Sequence, residues 1–166
     1  MLQMKLCGDL VLREKCVPVD NITPEILKTM DDMVQMMRDQ NGVGLAAPQI
    51  GVTKRFLVMM EPESGEIFKM VNPKITGRSE DSVIMEEGCL SVLGADDLPV
   101  YANVARPASV TAEWTGIDGK KYAAEMSGIM ARIVQHETDH LDGILFIDLL
   151  PAAKREMIMR KVRRRK

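Results

Sequence analysis

Histidine is nearly absent from this chain: 166 residues contain only two. Long apolar runs are missing too. None approaches the roughly 18 residues that a membrane-spanning helix needs, and Asp9, Arg13 and Glu14 break up the N-terminal stretch. We read no signal peptide, no Arg/Ser-rich transit segment and no membrane anchor, so the expected location is the cytoplasm. Cysteine is scarce and odd in number. Three cysteines cannot all pair with one another, which argues against a disulfide framework and leaves room for a metal-binding or reactive thiol. Internal repeats, low-complexity tracts and linkers are lacking as well, so a single domain over 1–166 is expected. The remaining balance, 46% hydrophobic and 28% charged, is that of an ordinary globular protein. Fourteen methionines stand out, but methionine mostly fills irregular core gaps and names no ligand by itself.

The net charge of −2 hides an asymmetry. Residues 154–166, "KREMIMRKVRRRK", hold eight Lys/Arg and one acid, Glu156, a local charge of +7. The other 153 residues carry 14 basic and 23 acidic side chains, a charge of −9. Neither DNA nor a membrane is an expected partner of such a body.

"TPEILKTMDDMVQMMRDQNG" reads as a helix capped by Thr23, with Pro24 in its first turn and a stop at Asn41-Gly42. Ile26, Met30, Met33, Val34 and Met37 recur along it at helical spacing. A Gly-rich loop follows, then short β-like runs: "RFLVMM", "IFKMVNPKIT" and "SVIMEEGC". "SVTAEWTG" and "KKYAAEMS" flank Ile117-Asp118-Gly119, a good hairpin turn. A further helix is expected from near Ser127 to Gly143, then "ILFIDLL" as a buried extended segment, then a basic helix opened by Pro151 over 151–166. Helices at both ends around many short strands predict an α+β fold.

Both histidines fall in "QHETDHLDG". On a helix, residues i and i+4 share one face, so His136 and His140 can offer two imidazoles to one metal ion. Glu137 lies near enough to reach a water on that metal, as in the H-E-x-x-H pattern. The plain alternative is an amphipathic helix, but the whole histidine supply is spent on this pair. A catalytic divalent site usually has three protein ligands and an open position. With no third histidine, the remaining ligand is Cys, Asp or Glu. Cys89, in "MEEGCLSV", stands at the end of a strand-like run beside Gly88; it reads equally as a buried core thiol. Cys7 and Cys16 read as structural cysteines. In "GVGLAAPQIGV", the small residues Gly42, Gly44, Ala46 and Ala47 mark either close backbone approach or a tight packed turn, and Gln49 is its one amide donor.

Taken together, "GVGLAAPQ", "EEGCLS" and "QHETDHLDG", in this order, closely resemble the three signature motifs of the peptide deformylases. The resemblance extends to "TPEI", "ITGRSEDSVIMEEGC", "ARPASVTAEW" and "GILFIDLLP". It implies a compact α+β fold with the metal helix surrounded by antiparallel strands. It also implies hydrolysis of the N-formyl group from nascent chains beginning with formylmethionine, giving formate. Its metal ligands would be Cys89, His136 and His140, its general base and acid Glu137, and its oxyanion donors the Gln49 amide and the backbone N–H of Leu90. The family commonly uses Fe2+ and works with Ni2+ or Co2+, with Zn2+ often poor, so ferrous iron and oxygen sensitivity are expected. Ile129 and Ile133, seven and three residues before His136, are candidate walls of a methionine pocket together with Val43, and the small loop at Gly44 crowds the carbonyl so that formyl is selected. Two departures stand out: Leu93 replaces the usual proline, and the segment over 94–103 is about five residues longer than the family pattern. Both bear on preference beyond methionine.

Two rival readings remain. H-E-x-x-H alone is shared with zinc endopeptidases, and a non-catalytic RNA-associated relative would keep the fold and the tail. The tail itself reads either as a solvated helix end or as a dock on ribosomal RNA. In the second reading Met157, Ile158 and Val162 form an apolar stripe, and Arg160, Lys161, Arg163, Arg164, Arg165 and Lys166 meet phosphates.

Overall fold

The computed structural model describes residues 2–163, and Arg164, Arg165 and Lys166 of the expected basic face lie outside them. Helix α1 (Pro24–Asp39) begins where Thr23 accepts a hydrogen bond from the Ile26 N–H at 3.3 Å, with Pro24 in the first turn. Ile26, Met30, Met33, Val34 and Met37 are all buried, as their spacing predicts. Asn41, at φ 53°, turns the chain out of the helix.

Strands β1 (Gly44–Ala46), β2 (Phe56–Met60), β3 (Ile67–Arg78), β6 (Ser109–Thr115) and β7 (Lys121–Ser127) form one antiparallel sheet in the order β1-β2-β3-β6-β7. A separate ribbon pairs β4 (Ser82–Glu87) with β5 (Ala102–Pro107). The Gly-rich loop of the sequence thus starts as a short strand and continues as a 3-10 turn, Ala47–Ile50. The β6–β7 hairpin turns at Asp118-Gly119 as expected, with Gly119 at φ 79°, a conformation that L side chains rarely adopt. Register shifts between Val71 and Lys74 and between Ile75 and Gly77 bend the long strand β3.

Helix α2 (Gly128–Leu141) lies across the sheet and touches β1, β2, β3, β6 and β7. The continuous apolar run of β2 is explained by its position. Leu57 and Met59 join Val134 and Leu141 of α2 in one core cluster, while Phe56 and Val58 join Met30, Met33 and Met37 of α1 in another. Alternate residues of one strand therefore feed two cores. A fully buried side chain of this kind contributes about 1.5–3 kcal/mol.

Two expectations are corrected. "ILFIDLL" is not extended: Phe146–Leu149 is a 3-10 helix, and Leu149 is exposed. The Asp148 carboxylate accepts the Leu145 N–H at 2.9 Å and is itself held by Arg13 and Arg155, so a cap closes the turn that hydrophobicity alone reads as a strand. In α3 (Ala152–Arg163), Ile158 and Val162 are buried against Leu12 and Phe146, but Met157 is exposed and does not belong to the stripe. Residues four apart share a face, and Met157 lies a third of a turn off it.

The long segment after the cysteine folds back on itself. Leu93 bridges Pro99, Gly94 donates to the Leu98 carbonyl at 2.9 Å, and Val100 donates to that of Val92 at 3.0 Å.

Candidate metal centre and its cavity

Helix α2 carries His136, Glu137 and His140, and the chain leaving β4 brings Gly88 and Cys89 against them. One ligand atom from each of Cys89, His136 and His140 lies within 4.8 Å of the others, and all three residues are buried. Cys89 Sγ is 3.4 Å from His140 Nε2. His136 directs Nδ1 at Glu87, 2.8 Å away, which leaves its Nε2 as the nitrogen available to a metal. A thiolate with two imidazoles, fixed at this closeness in a water-poor setting, fits a divalent ion of the Zn2+ or Fe2+ type.

Gln49 sits beneath the sulfur. Its Oε1 accepts the Ala46 N–H at 2.9 Å, which fixes the amide with Nε2 towards Ser91 Oγ at 3.0 Å and Cys89 Sγ at 3.6 Å. Glu137 is 5% exposed, and its Oε2 has no hydrogen-bond partner among the described residues. Gly44 explains how it fits: a Cβ there would stand 2.7 Å from both Cγ and Cδ of Glu137. The close neighbour of the small loop at Gly44 is thus the Glu137 side chain, not the backbone that its small residues predict.

Glu87 ties the centre together and was missed in the sequence. It receives Arg106 in two bonds, at 2.7 and 3.0 Å, and Arg132 at 2.7 Å, as well as His136. Arg106 also reaches Asp139 at 2.7 Å, and Arg132 donates to the carbonyls of Val104 and Val83, joining α2 to both strands of the β4–β5 ribbon. Arg132 gave one signal: an arginine inside an apolar helical run, four residues before His136, shares that histidine's face and needs a buried anion. Glu87 and Arg106 gave none, because only the fold makes them neighbours.

These contacts set the charges. Burial alone would raise the Glu87 pKa, but hydrogen bonds from His136 and Arg106 outweigh it and hold the carboxyl at about 2. Burial lowers the His136 pKa, yet hydrogen bonds to Cys89 and Glu87 carry it to about 10 in the metal-free protein. Burial, then the charge of His136, pushes His140 well down, so it stays neutral. Burial pushes the Glu137 carboxyl up to about 7, against the opposing pull of His136 and Arg106.

A cavity of about 210 Å³ opens onto this centre. Val43, Gly44, Gln49, Cys89, Leu90, Ile129, Ile133, His136 and Glu137 line it, so every candidate site residue except His140 stands on its wall. His140 is 1% exposed, with its Nε2 against the Cys89 sulfur. Pro99 and Tyr101 from the long post-cysteine segment also reach the wall, with the Tyr101 ring against Gly88. Among the described residues β1 is the edge of its sheet and β4 pairs only with β5, and residues of both border the cavity. Cys16 is buried and Cys7 half-buried, and both stay outside the ligand group.

A cysteine and two helix-borne histidines set together inside antiparallel strands, with a buried carboxyl and an amide donor beside one cavity, have the make-up of a metal-dependent hydrolase site. Comparison with known proteins narrows the class. The family model described as Polypeptide deformylase matches residues 1–156, and the chain belongs to that family. The peptide deformylase of Rhizobium meliloti (strain 1021) is 44% identical over 156 residues, which cover 92% of this chain and 87% of that protein. The crystal structure of peptide deformylase from Thermus thermophilus superposes with a TM-score of 0.88 at 40% identity, covering 98% of this chain and 93% of that one. The peptide deformylase of Ehrlichia chaffeensis in complex with actinonin gives 0.91 at 34% identity, covering 98% and 96%. The α+β architecture expected from the sequence is that of these structures.

Proposed function

We infer that this chain is a peptide deformylase: a hydrolase that removes the N-formyl group from the N-terminal formylmethionine of nascent polypeptides and releases formate. The observation that carries the mechanism is the convergence of the ligand group, the Glu137 carboxyl and the Gln49 amide on one cavity.

Cys89, His136 and His140 would hold the ion. When bound, a divalent metal supplies Lewis acidity that makes water nucleophilic near neutral pH. The remaining work falls to the chain. Glu137 accepts a proton from the water as its oxygen bonds to the formyl carbon. The carbonyl oxygen gathers negative charge, and the Gln49 Nε2–H and the Leu90 backbone N–H donate to it. Each such donor is typically worth about 10²–10³ in rate. Glu137 then delivers its proton to the departing nitrogen as the C–N bond breaks, leaving formate and a free amine. A carboxyl poised near neutrality suits this double role. Gly44 keeps the approach to Glu137 narrow, which admits formyl and excludes larger acyl groups. Val43, Ile129 and Ile133 wall the methionine side chain, and the substrate backbone lies between the β1 and β4 edges, where unpaired strand edges accept an extended chain.

The donor set suits Fe2+ and Zn2+ alike. We assign ferrous iron from the resemblance to a family that commonly uses it, with loss of activity in air as its signature. The actinonin bound by the Ehrlichia relative is a natural probe of the same cavity here. Among the described residues no helix is long and apolar enough to cross a membrane. A cytoplasmic setting, where formylated chains emerge, follows from the proposed substrate. We also propose that α3 tethers the enzyme to ribosomal RNA. Its buried Ile158 and Val162 anchor it, while Arg155 and Arg160 are occupied by Asp148 and Glu156, leaving Lys154 and Lys161 among its described cations.

The decisive experiment is formate release from formyl-Met-Ala-Ser by anaerobically purified protein, with metal analysis and an unblocked longer peptide alongside. Formate and free Met-Ala-Ser in equal amounts are expected. Internal cleavage of the unblocked peptide without formate release would replace this reading with that of an endopeptidase.

A further inference from the structure

Beside the metal centre, a second cavity of about 320 Å³ opens along another flank of α2, where Gln135, Thr138, Asp139 and, just past the helix, Asp142 face β3 and β5. It shares no lining residue with the first. Four cations border it: Arg55, Lys74, Arg78 and Arg106. The two acids there are already matched, Asp142 by Arg55 at 2.7 Å and Asp139 by Arg106 at 2.7 Å. Lys74 and Arg78 have no ion-pair partner among the described residues, and Glu113, opposite Lys74 across the β3–β6 ladder, makes none with it. The cavity therefore keeps an excess of two positive charges on a body that is otherwise acidic. Lys74 and Arg78 are exposed, so their charged ends are free to close on a ligand, whereas the Thr138 hydroxyl is enclosed and does not meet the cavity.

We propose that this cavity binds a phosphate group, with Lys74 as a point charge and Arg78 as a planar fork on its oxygens. The phosphate comes either from a free small molecule or from a phosphodiester backbone. The surroundings allow the two to be told apart. Lys74 also borders an adjoining hollow walled by Trp114 and Tyr122, whose rings stack 5.7 Å apart. A base of single-stranded RNA threading past Lys74 would reach that pair, whereas a lone phosphate would not. Trp114 is the only tryptophan, so its fluorescence reports on that hollow alone.

The test titrates the full zinc-loaded chain with pyrophosphate and, separately, with single-stranded oligouridylate, following amide NMR shifts around Ile75 and Arg78, away from the metal ligands, and Trp114 emission. Saturable shifts with pyrophosphate are expected, weakening with salt and at least about tenfold weaker in the Lys74→Ala/Arg78→Ala double variant. Unchanged formate release by that variant shows it is folded, and separates failure here from failure of the proposed activity. Oligouridylate that displaces pyrophosphate and quenches Trp114 identifies RNA as the source; pyrophosphate shifts without such displacement identify a free phosphate compound. No saturation by either probe below about 10 mM, or equal binding by the double variant, overturns the proposal.

Discussion

Gly44 and Glu137 are in such close contact that a single added methyl group would stand 2.7 Å from Cγ and Cδ of the carboxylate side chain. Edge strand β1 and helix α2 meet here backbone to side chain, with no room between. Gly44→Ala is therefore expected to displace Glu137 while leaving Cys89, His136 and His140 in place. Metal content should stay near wild type and kcat should fall at least about tenfold, since misplacement by an ångström is enough for a hundredfold loss. Wild-type kcat in this variant would show that the carboxylate position is not critical.

Glu137→Gln keeps the shape and removes the proton shuttle proposed for this carboxyl. The ligands are untouched, so bound metal should persist while kcat drops by roughly the 10²–10⁴ typical of a general acid–base group. Stopped formate assays together with metal analysis check both halves. More than about a tenth of wild-type kcat would contradict the assignment.

The three cysteines separate cleanly. Cys89→Ala leaves two imidazoles and should release the metal or weaken its binding severely. Joint replacement of Cys7 and Cys16 should leave it bound, because neither belongs to the ligand group. Cobalt substitution offers a direct readout: thiolate-to-metal absorption should vanish with Cys89 and survive loss of the other two.

Glu87 gives a pH dependence with a definite sign. Its folded pKa, about 2, lies below the ordinary glutamate value of 4.5. The stabilisation it brings is complete above pH 4.5 and is lost as pH falls through that interval towards 2. Denaturant midpoints of the metal-free protein should fall steeply there, and Glu87→Gln should flatten the slope. At neutral pH the same variant strands Arg106 and Arg132, and losing the partner of a buried ion pair costs about 3–5 kcal/mol. It should also weaken metal binding about 10–100-fold, because Glu87 orients His136. An unaltered acid limb would mean that Glu87 does not carry the charge of this network.

The basic tail is best tested by neutralisation, since deleting α3 would remove buried Ile158 and Val162. Replacing Lys161, Arg163, Arg164, Arg165 and Lys166 by glutamine should weaken co-sedimentation with ribosomes. The wild-type association should itself decline with salt, by on the order of one log unit in K per log unit of salt for each phosphate that the tail neutralises. Turnover of formyl-Met-Ala-Ser should stay the same. Equal sedimentation of the two proteins would exclude the tether.

The features legible in the sequence are local. The apolar spacing and cap of α1, the Asp118-Gly119 hairpin, and the i, i+4 placement of His136 and His140 each lie within a few residues, where backbone geometry alone fixes who faces whom. Family resemblance then joined three distant motifs, although composition left Cys89 poised between ligand and core thiol. Tertiary structure decided the rest. It decided which residues share a charge: Glu87, Arg106 and Arg132 lie on β4, β5 and α2, and no periodicity links them. It turned "ILFIDLL" into a 3-10 helix, because Asp148 is held by Arg13 from 135 residues away. It also set Met157 apart from Ile158 and Val162 by choosing which face of α3 meets Leu12 and Phe146. A pattern of apolar residues says that something is buried. The partner, and hence the charge, the cap and the exact face, depends on groups that meet only when the chain closes on itself.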